Sequence, residues 1–268
     1  MWDFEHEPGR SELAQRYSIH MTSPSNCARE LADDGADIGL VPAAAYATTA
    51  SLAIVPGCAI ASLDRVRSIL LVVREATGVE GVRTVAADTS SKTSLAYAQI
   101  LFRKYWDAKA EFVPHAPDLE AMLAAADAAL LIGDPALLAL EDRLARMERT
   151  GERLMYLDLA HEWKQLTGLA WVSAFWAVRP EALDRTGVMA SELVADFTRS
   201  RNNGLAHLED LVTEWSAKIA VPAETIRCYL SENIHYILDE TCLAGLEAFF
   251  RYAAELKVLP EAPALRFL

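Results

Sequence analysis

The sequence predicts an α/β protein of two lobes with mixed, mostly parallel sheets and a helical C-terminal tail. Three observations carry this. Residues up to about 178 alternate short β-prone runs with helical stretches. Residues from Pro180 onward show helical patterning only. The 268 residues suffice for two small lobes, each with a core. Strands alternating with helices imply parallel pairing through crossover connections.

Taken in order, Ser25 to Asp34 predicts a helix, opened by Ser/Asn and ended by Gly35. Asp37-Ile38-Gly39-Leu40-Val41 predicts a buried strand stopped by Pro42, and a helix starts behind that proline at Ala43. Val66 to Val73 is the most β-prone run. Val82 to Ala87 is a strand that runs into Asp88-Thr89-Ser90-Ser91, and a helix follows from Lys92 to Tyr105. Glu111-Phe112-Val113 is a strand, Asp118 to Ala126 a helix, and Ala128 to Ile132 a strand ending in Gly133-Asp134-Pro135. Met155 to Asp158 and Ala170 to Val178 complete the strands. The tail predicts helices at Met189–Arg201, Gly204–Lys218 and Glu240–Leu256, with a shorter one near Glu224–Ser231. Short linkers imply that two closely spaced strands cross between the lobes. Lobe one is expected to hold residues 1–82 and 178–268, and lobe two residues 83–177.

Composition narrows the function. The formal charge is −13, which repels nucleic acid and anionic membranes. No apolar run reaches the roughly 18 residues of a membrane span. The opening Met1-Trp2-Asp3-Phe4-Glu5 has no basic start and no apolar stretch, so a cytoplasmic location is expected. The four cysteines make no Cys-x-x-Cys pair and are read as reduced thiols. Nucleotide-binding glycine motifs and the Gly-x-Ser-x-Gly elbow are absent. His161-Glu162 begins like a zinc-protease helix, but Gln165 stands where the second ligand belongs, so no metal is expected there.

One segment points to a ligand. Asp88-Thr89-Ser90-Ser91-Lys92-Thr93-Ser94 sits where a strand ends and a helix begins. Five hydroxyls and a lysine meet the open N–H groups of a helix start, a combination suited to a carboxylate or phosphate. Capping alone needs one such hydroxyl. The carboxyl ends of parallel strands are also where open α/β sheets bind ligands. Asp134, in the Gly133-Asp134-Pro135 turn, is either a cleft group or an N-cap. The Ala61-Ser62-Leu63-Asp64 turn is a third candidate. Ser62, Thr89, Ser90, Ser91, Thr93, Ser94 and Asp134 are the binding candidates, and no catalytic residue is read from the sequence.

An ordered set of blocks resembles a known family. It comprises Ser23-Pro24-Ser25; Gly35 to Pro42 with Tyr46; Ile60-Ala61-Ser62; Val66-Arg67-Ser68; Asp88 to Ser94; Pro117-Asp118-Leu119; Ala128 to Leu137; Tyr156 to Leu159; Glu162-Trp163; Thr167-Gly168-Leu169; and Phe175-Trp176-Ala177. Over about residues 20 to 180 the chain is similar to the chorismate dehydratases of the futalosine route to menaquinone. The resemblance implies a type II periplasmic-binding-protein fold without secretion. It implies loss of water from chorismate to give 3-enolpyruvyl-benzoate, with no cofactor. It assigns Ser62, Ser90, Ser91, Thr93 and Ser94 to gripping carboxylates or the leaving hydroxyl. Family members open with a strand ending in Tyr-Leu-Asn or Phe-Leu-Asn, whereas Met1-Trp2-Asp3-Phe4 looks like the segment after that motif. The chain as given is therefore expected to be less stable than a form extended upstream and to have little or no dehydratase activity. Two other readings stand beside this one: a cytosolic anion-binding protein of the same fold, and the sister enzyme acting on cyclic dehypoxanthine futalosine.

Overall fold

The computed structural model describes residues 1–49 and 51–268. Among the described residues, eight strands form two sheets. Lobe one holds β1 (Ile38–Pro42), β2 (Ala53–Ser62) and β8 (Trp171–Val178), in the order β1-β8-β2. Lobe two holds β3 (Ile69–Arg74), β4 (Thr84–Ala87), β5 (Glu111–Pro114), β6 (Ala128–Ile132) and β7 (Leu154–Asp158), in the order β5-β4-β6-β3-β7.

The sheets are mixed. Among the described strands, parallel pairing joins β4 to β5 and to β6 only, whereas β3 runs against β6 and β7, and β8 against β1 and β2. The reason is connectivity. A strand that has just crossed from the other lobe enters its sheet at the cleft edge. The strands that alternate with helices inside a lobe end at that edge.

The same pairing corrects the expected lobe boundaries. β3 lies between β6 and β7, so the outward crossing is at residues 63–68, upstream of Val82-Arg83. β8 belongs to lobe one from Trp171, so the return crossing precedes Ala177-Val178. All five residues from Ile69 to Val73 are buried, as a strand covered on both faces must be.

The tail helices divide between the lobes. Ala190–Ala206 packs on β2 and Glu240–Glu255 on β8. Between them, Leu208–Ser216 and Ala223–Cys228 reach lobe two. There Val212, Val221 and Ile226 cluster with Leu137, and Thr225 Oγ1 donates to Glu141 Oε1 at 3.0 Å. The predicted helix Lys92–Tyr105 is α-helical to Ile100 and closes in a π-turn over Leu101–Tyr105.

The main core runs through both lobes. Tyr97, on the lobe-two helix Lys92–Ile100, stacks between Trp171 at 3.7 Å and Phe249 at 4.2 Å. Trp163 meets its edge at 4.8 Å. Burial on this scale stabilises by about 1.5–3 kcal/mol per large apolar side chain. It also fixes the start of that helix against lobe one.

Candidate substrate cleft

Strand register builds the site. Ala87 pairs with Leu130, Ile132 with Ile69, and Asp158 with Leu70, so the carboxyl ends of β4, β6 and β7 share one edge with the start of β3. That edge faces lobe one. The turns after these strands are the ones that the sequence singled out, together with Asp158.

The Asp88 to Ser94 turn meets lobe one directly. Thr93 Oγ1 accepts the backbone N–H of Ala44 at 3.0 Å, and both residues are buried. Ala44 lies in the first turn behind β1, where an N–H has no intrahelical acceptor. Ser91 is the N-cap: its Oγ accepts the N–H of Ser94 at 3.2 Å and lies 3.0 Å from Ser94 Oγ. Buried Asp88 accepts the N–H of Ser90 at 2.9 Å. Thr89, Ser90 and Lys92 are exposed. The cluster therefore divides: Thr93 and Ser94 hold the turn and the lobe contact, while Thr89, Ser90 and Lys92 keep polar groups in solvent. The N–H groups of Lys92 and Thr93 open the helix and have no acceptor within it.

Ser62 is buried at the end of β2, and its hydroxyl donates to the Arg65 carbonyl at 3.0 Å. It shapes the outward crossing. Gly133 takes φ +70°, which suits glycine, and donates to the Ser68 carbonyl at 2.7 Å. Asp134 opens the helix Asp134–Thr150 and is exposed. Tyr229, from the tail, donates to Ser68 Oγ at 3.1 Å. Burial raises the Tyr229 phenol above its usual value, so it stays protonated at neutral pH.

Two features went unnoticed in the sequence. Asp158 is buried and accepts four backbone N–H groups: Val66 at 3.0 Å, Arg67 at 2.7 Å, Ala160 at 3.1 Å and His161 at 3.2 Å. It joins the outward crossing to the helix Leu159–Thr167. Burial pushes its carboxyl above the usual value, against the lowering effect of those donors. Aspartate before a Leu-Ala-His start is an N-cap signal that could have been read. Arg67 sits in the left-handed region at φ +63°, a strained conformation for a residue with a Cβ that no sequence pattern announces. His161 Nδ1 lies 2.5 Å from Asp64 Oδ1, a hydrogen-bonding contact between the outward crossing and the helix Leu159–Thr167.

A separate groove of about 840 Å³ lies along helix Ala190–Ala206, lined by Pro56, Ala195, Thr198, Asn202 and Leu268. Its one cation, Arg199, is already held by Asp3, Glu12 and Asp196. The strand ends and open donors are in the cleft, so the cleft is the better candidate. Among the described residues no helix is long and apolar enough to cross a membrane.

Comparison with solved structures places this architecture. Protein AF1704 from Archaeoglobus fulgidus is similar at a TM-score of 0.64 and 16% identity, over 90% of this chain and 86% of that one. The periplasmic aliphatic sulphonate binding protein SsuA from Escherichia coli is similar at 0.61 and 15%, over 94% and 83%. The Candida albicans CA3427 gene product, described as having the generic periplasmic binding protein fold, is similar at 0.62 and 11%, over 95% and 89%. These likenesses establish a two-lobed periplasmic-binding-protein-like fold. At the level of sequence, a family model described as menaquinone biosynthesis matches residues 2–255. On that match, which spans nearly all of it, the chain belongs to the menaquinone biosynthesis family.

Proposed function

We propose that this chain is a cytoplasmic lyase that dehydrates chorismate to 3-enolpyruvyl-benzoate in the cleft between its lobes, as a step of menaquinone biosynthesis. The carrying observation is the Thr93–Ala44 contact, which puts a hydroxyl-rich helix start of lobe two against a helix start of lobe one. A dianion entering there displaces that contact. The Ala44 N–H and Thr93 hydroxyl, with Ser90, Ser91 and Lys92, then become donors to carboxylate.

The chemistry asks little of the protein. A ring C–H bond breaks and its electron pair forms the new ring double bond. The ring C–O bond breaks, its pair leaves with the hydroxyl, and the released proton completes a water molecule. Aromaticity supplies the driving force. The residues need only hold both carboxylates, orient the breaking bonds and stabilise the leaving oxygen. Buried Asp158 and Ser62 serve by holding the crossing in place. Incubation with chorismate and chromatographic detection of the aromatic enolpyruvyl product tests this reading. Absence of that product from folded protein, in the given and the upstream-extended form alike, would overturn it.

The likeness to a sulphonate-binding protein favours one other reading, capture of an anion without chemistry. Tight chorismate binding with no turnover would support it. Turnover of cyclic dehypoxanthine futalosine instead of chorismate would assign the chain to the sister enzyme.

A further inference from the structure

The start of helix Glu240–Glu255 gathers three different metal-binding side chains. His235, Asp239 and Cys242 each offer one donor atom, and the three atoms lie within 4.8 Å of one another. His235 Nε2 is 2.8 Å from Asp239 Oδ2. The other oxygen, Asp239 Oδ1, caps the helix by accepting the Cys242 N–H at 2.9 Å, which fixes the carboxylate rotamer. The His235 backbone is clamped as well: its N–H donates to the Ala61 carbonyl at 2.8 Å and its carbonyl accepts from Ala61 at 2.9 Å. Cys242 is fully buried, while His235 and Asp239 keep partial access to solvent. A capped helix with a His–Asp pair accounts for two of the three groups. It does not require a thiol converging on the same point.

We propose that His235, Asp239 and Cys242 form a binding site for a zinc-type divalent cation, with water in the fourth position. Imidazole, carboxylate and thiolate suit zinc, whereas calcium and magnesium prefer oxygen ligands throughout. On binding, the Cys242 S–H proton is released to solvent and a metal–sulfur bond forms. His235 binds through neutral Nε2, and its ring proton moves through solvent to Nδ1. The ion sits one residue from Ser62 across the Ala61 bridge, so it ties the outward crossing to the helix Glu240–Glu255. This inference stands independently of the proposed reaction.

The test uses the full chain, stripped by chelator and titrated with cobalt(II), then zinc(II). The expected result is saturable uptake of a single cobalt ion. It gives a thiolate-to-cobalt charge-transfer band and tetrahedral visible bands, which zinc bleaches. Cys242→Ser abolishes the charge-transfer band, and His235→Ala weakens binding by at least ~10–100-fold. Cys27→Ser, in lobe one away from the cluster, keeps the band. Zinc raises the thermal midpoint of the wild type and not that of Cys242→Ser, since only the native state offers the site. Circular dichroism checks that each variant is folded, and Cys242→Ala replaces the serine variant if needed. No saturable uptake by folded wild type, or a charge-transfer band that survives loss of Cys242, overturns the proposal.

Discussion

Replacing Thr93 by Val tests the lobe contact at its narrowest point. The two side chains have nearly the same shape, so the change removes one hydroxyl and leaves packing close to intact. In the structure that hydroxyl is the acceptor for the Ala44 N–H at 3.0 Å, and both residues are almost inaccessible, at 1% and 3%. Valine leaves a buried donor without a partner, which costs about 1–3 kcal/mol. For a chain of this size that is a fall in thermal midpoint of roughly 2–12 °C. Urea denaturation and calorimetry measure it, with far-UV circular dichroism confirming an unchanged secondary structure. The proposed function adds a second expectation. Loss of a donor to a carboxylate weakens dicarboxylate binding by roughly 1.5–3 kcal/mol, about 10–150-fold in the dissociation constant, read by calorimetric titration. A stability change under about 0.5 kcal/mol would show that the bond carries nothing between the lobes, and the account of the cleft built on it would fall.

Three further perturbations follow from other parts of the molecule. Gly245→Ala puts a Cβ 2.1 Å from the Ala170 carbonyl oxygen, so the helix Glu240–Glu255 must lift from β8; a loss of about 3 kcal/mol or more is expected in urea denaturation, and a near-neutral result would refute that packing. Asp158→Asn replaces a carboxylate serving four N–H donors with an amide that offers one acceptor oxygen, and should cost about 2–4 kcal/mol with weaker cleft binding. His6 lies above its usual pKa: burial, the largest influence, lowers it, but the hydrogen bonds to Glu214 and the Trp2 carbonyl and the charges of Glu214 and Glu5 outweigh burial. Its contribution is complete below the unfolded value of about 6.5 and fades as pH rises through the higher folded value, so His6→Gln should flatten the stability profile above about pH 6.5, and an unchanged profile would refute the assignment.

The alternation of strands and helices was legible because each element carries its own periodicity, as in Ile38–Pro42 and Ala128–Ile132. β2 escaped notice for a local reason. Pro56-Gly57 interrupts its apolar run, Gly57 takes φ +79°, and the pairing with β8 shifts register between Ile54 and Ala59. A breaker inside a strand reads as a strand end. The lobe boundary failed because nothing in Val66 to Val73 says which sheet it joins; that depends on β6 and β7, far along the chain. In the cleft, Asp88 to Ser94 was visible as a density of hydroxyls. Its partner was not, because a backbone N–H such as that of Ala44 leaves no mark on the identity of its residue. The division of labour within the cluster, Thr93 and Ser94 inward and Thr89 and Ser90 outward, is set by long-range packing and could not be read locally.

The tail segment Leu208–Cys228 springs from lobe one and rests on lobe two, and the stack of Trp171, Tyr97 and Phe249 links the same two bodies from inside. Neither body therefore owns a complete interior. Cutting the chain in the 63–68 crossing should not liberate a fragment that refolds unaided, because the apolar contacts of the shared core would leave with the other piece. Heating should melt the whole molecule in one step, with equal calorimetric and van't Hoff enthalpies. What looks like a pair of hinged jaws is, energetically, a single indivisible solid with a seam, and its repertoire of motion is confined to what that seam permits.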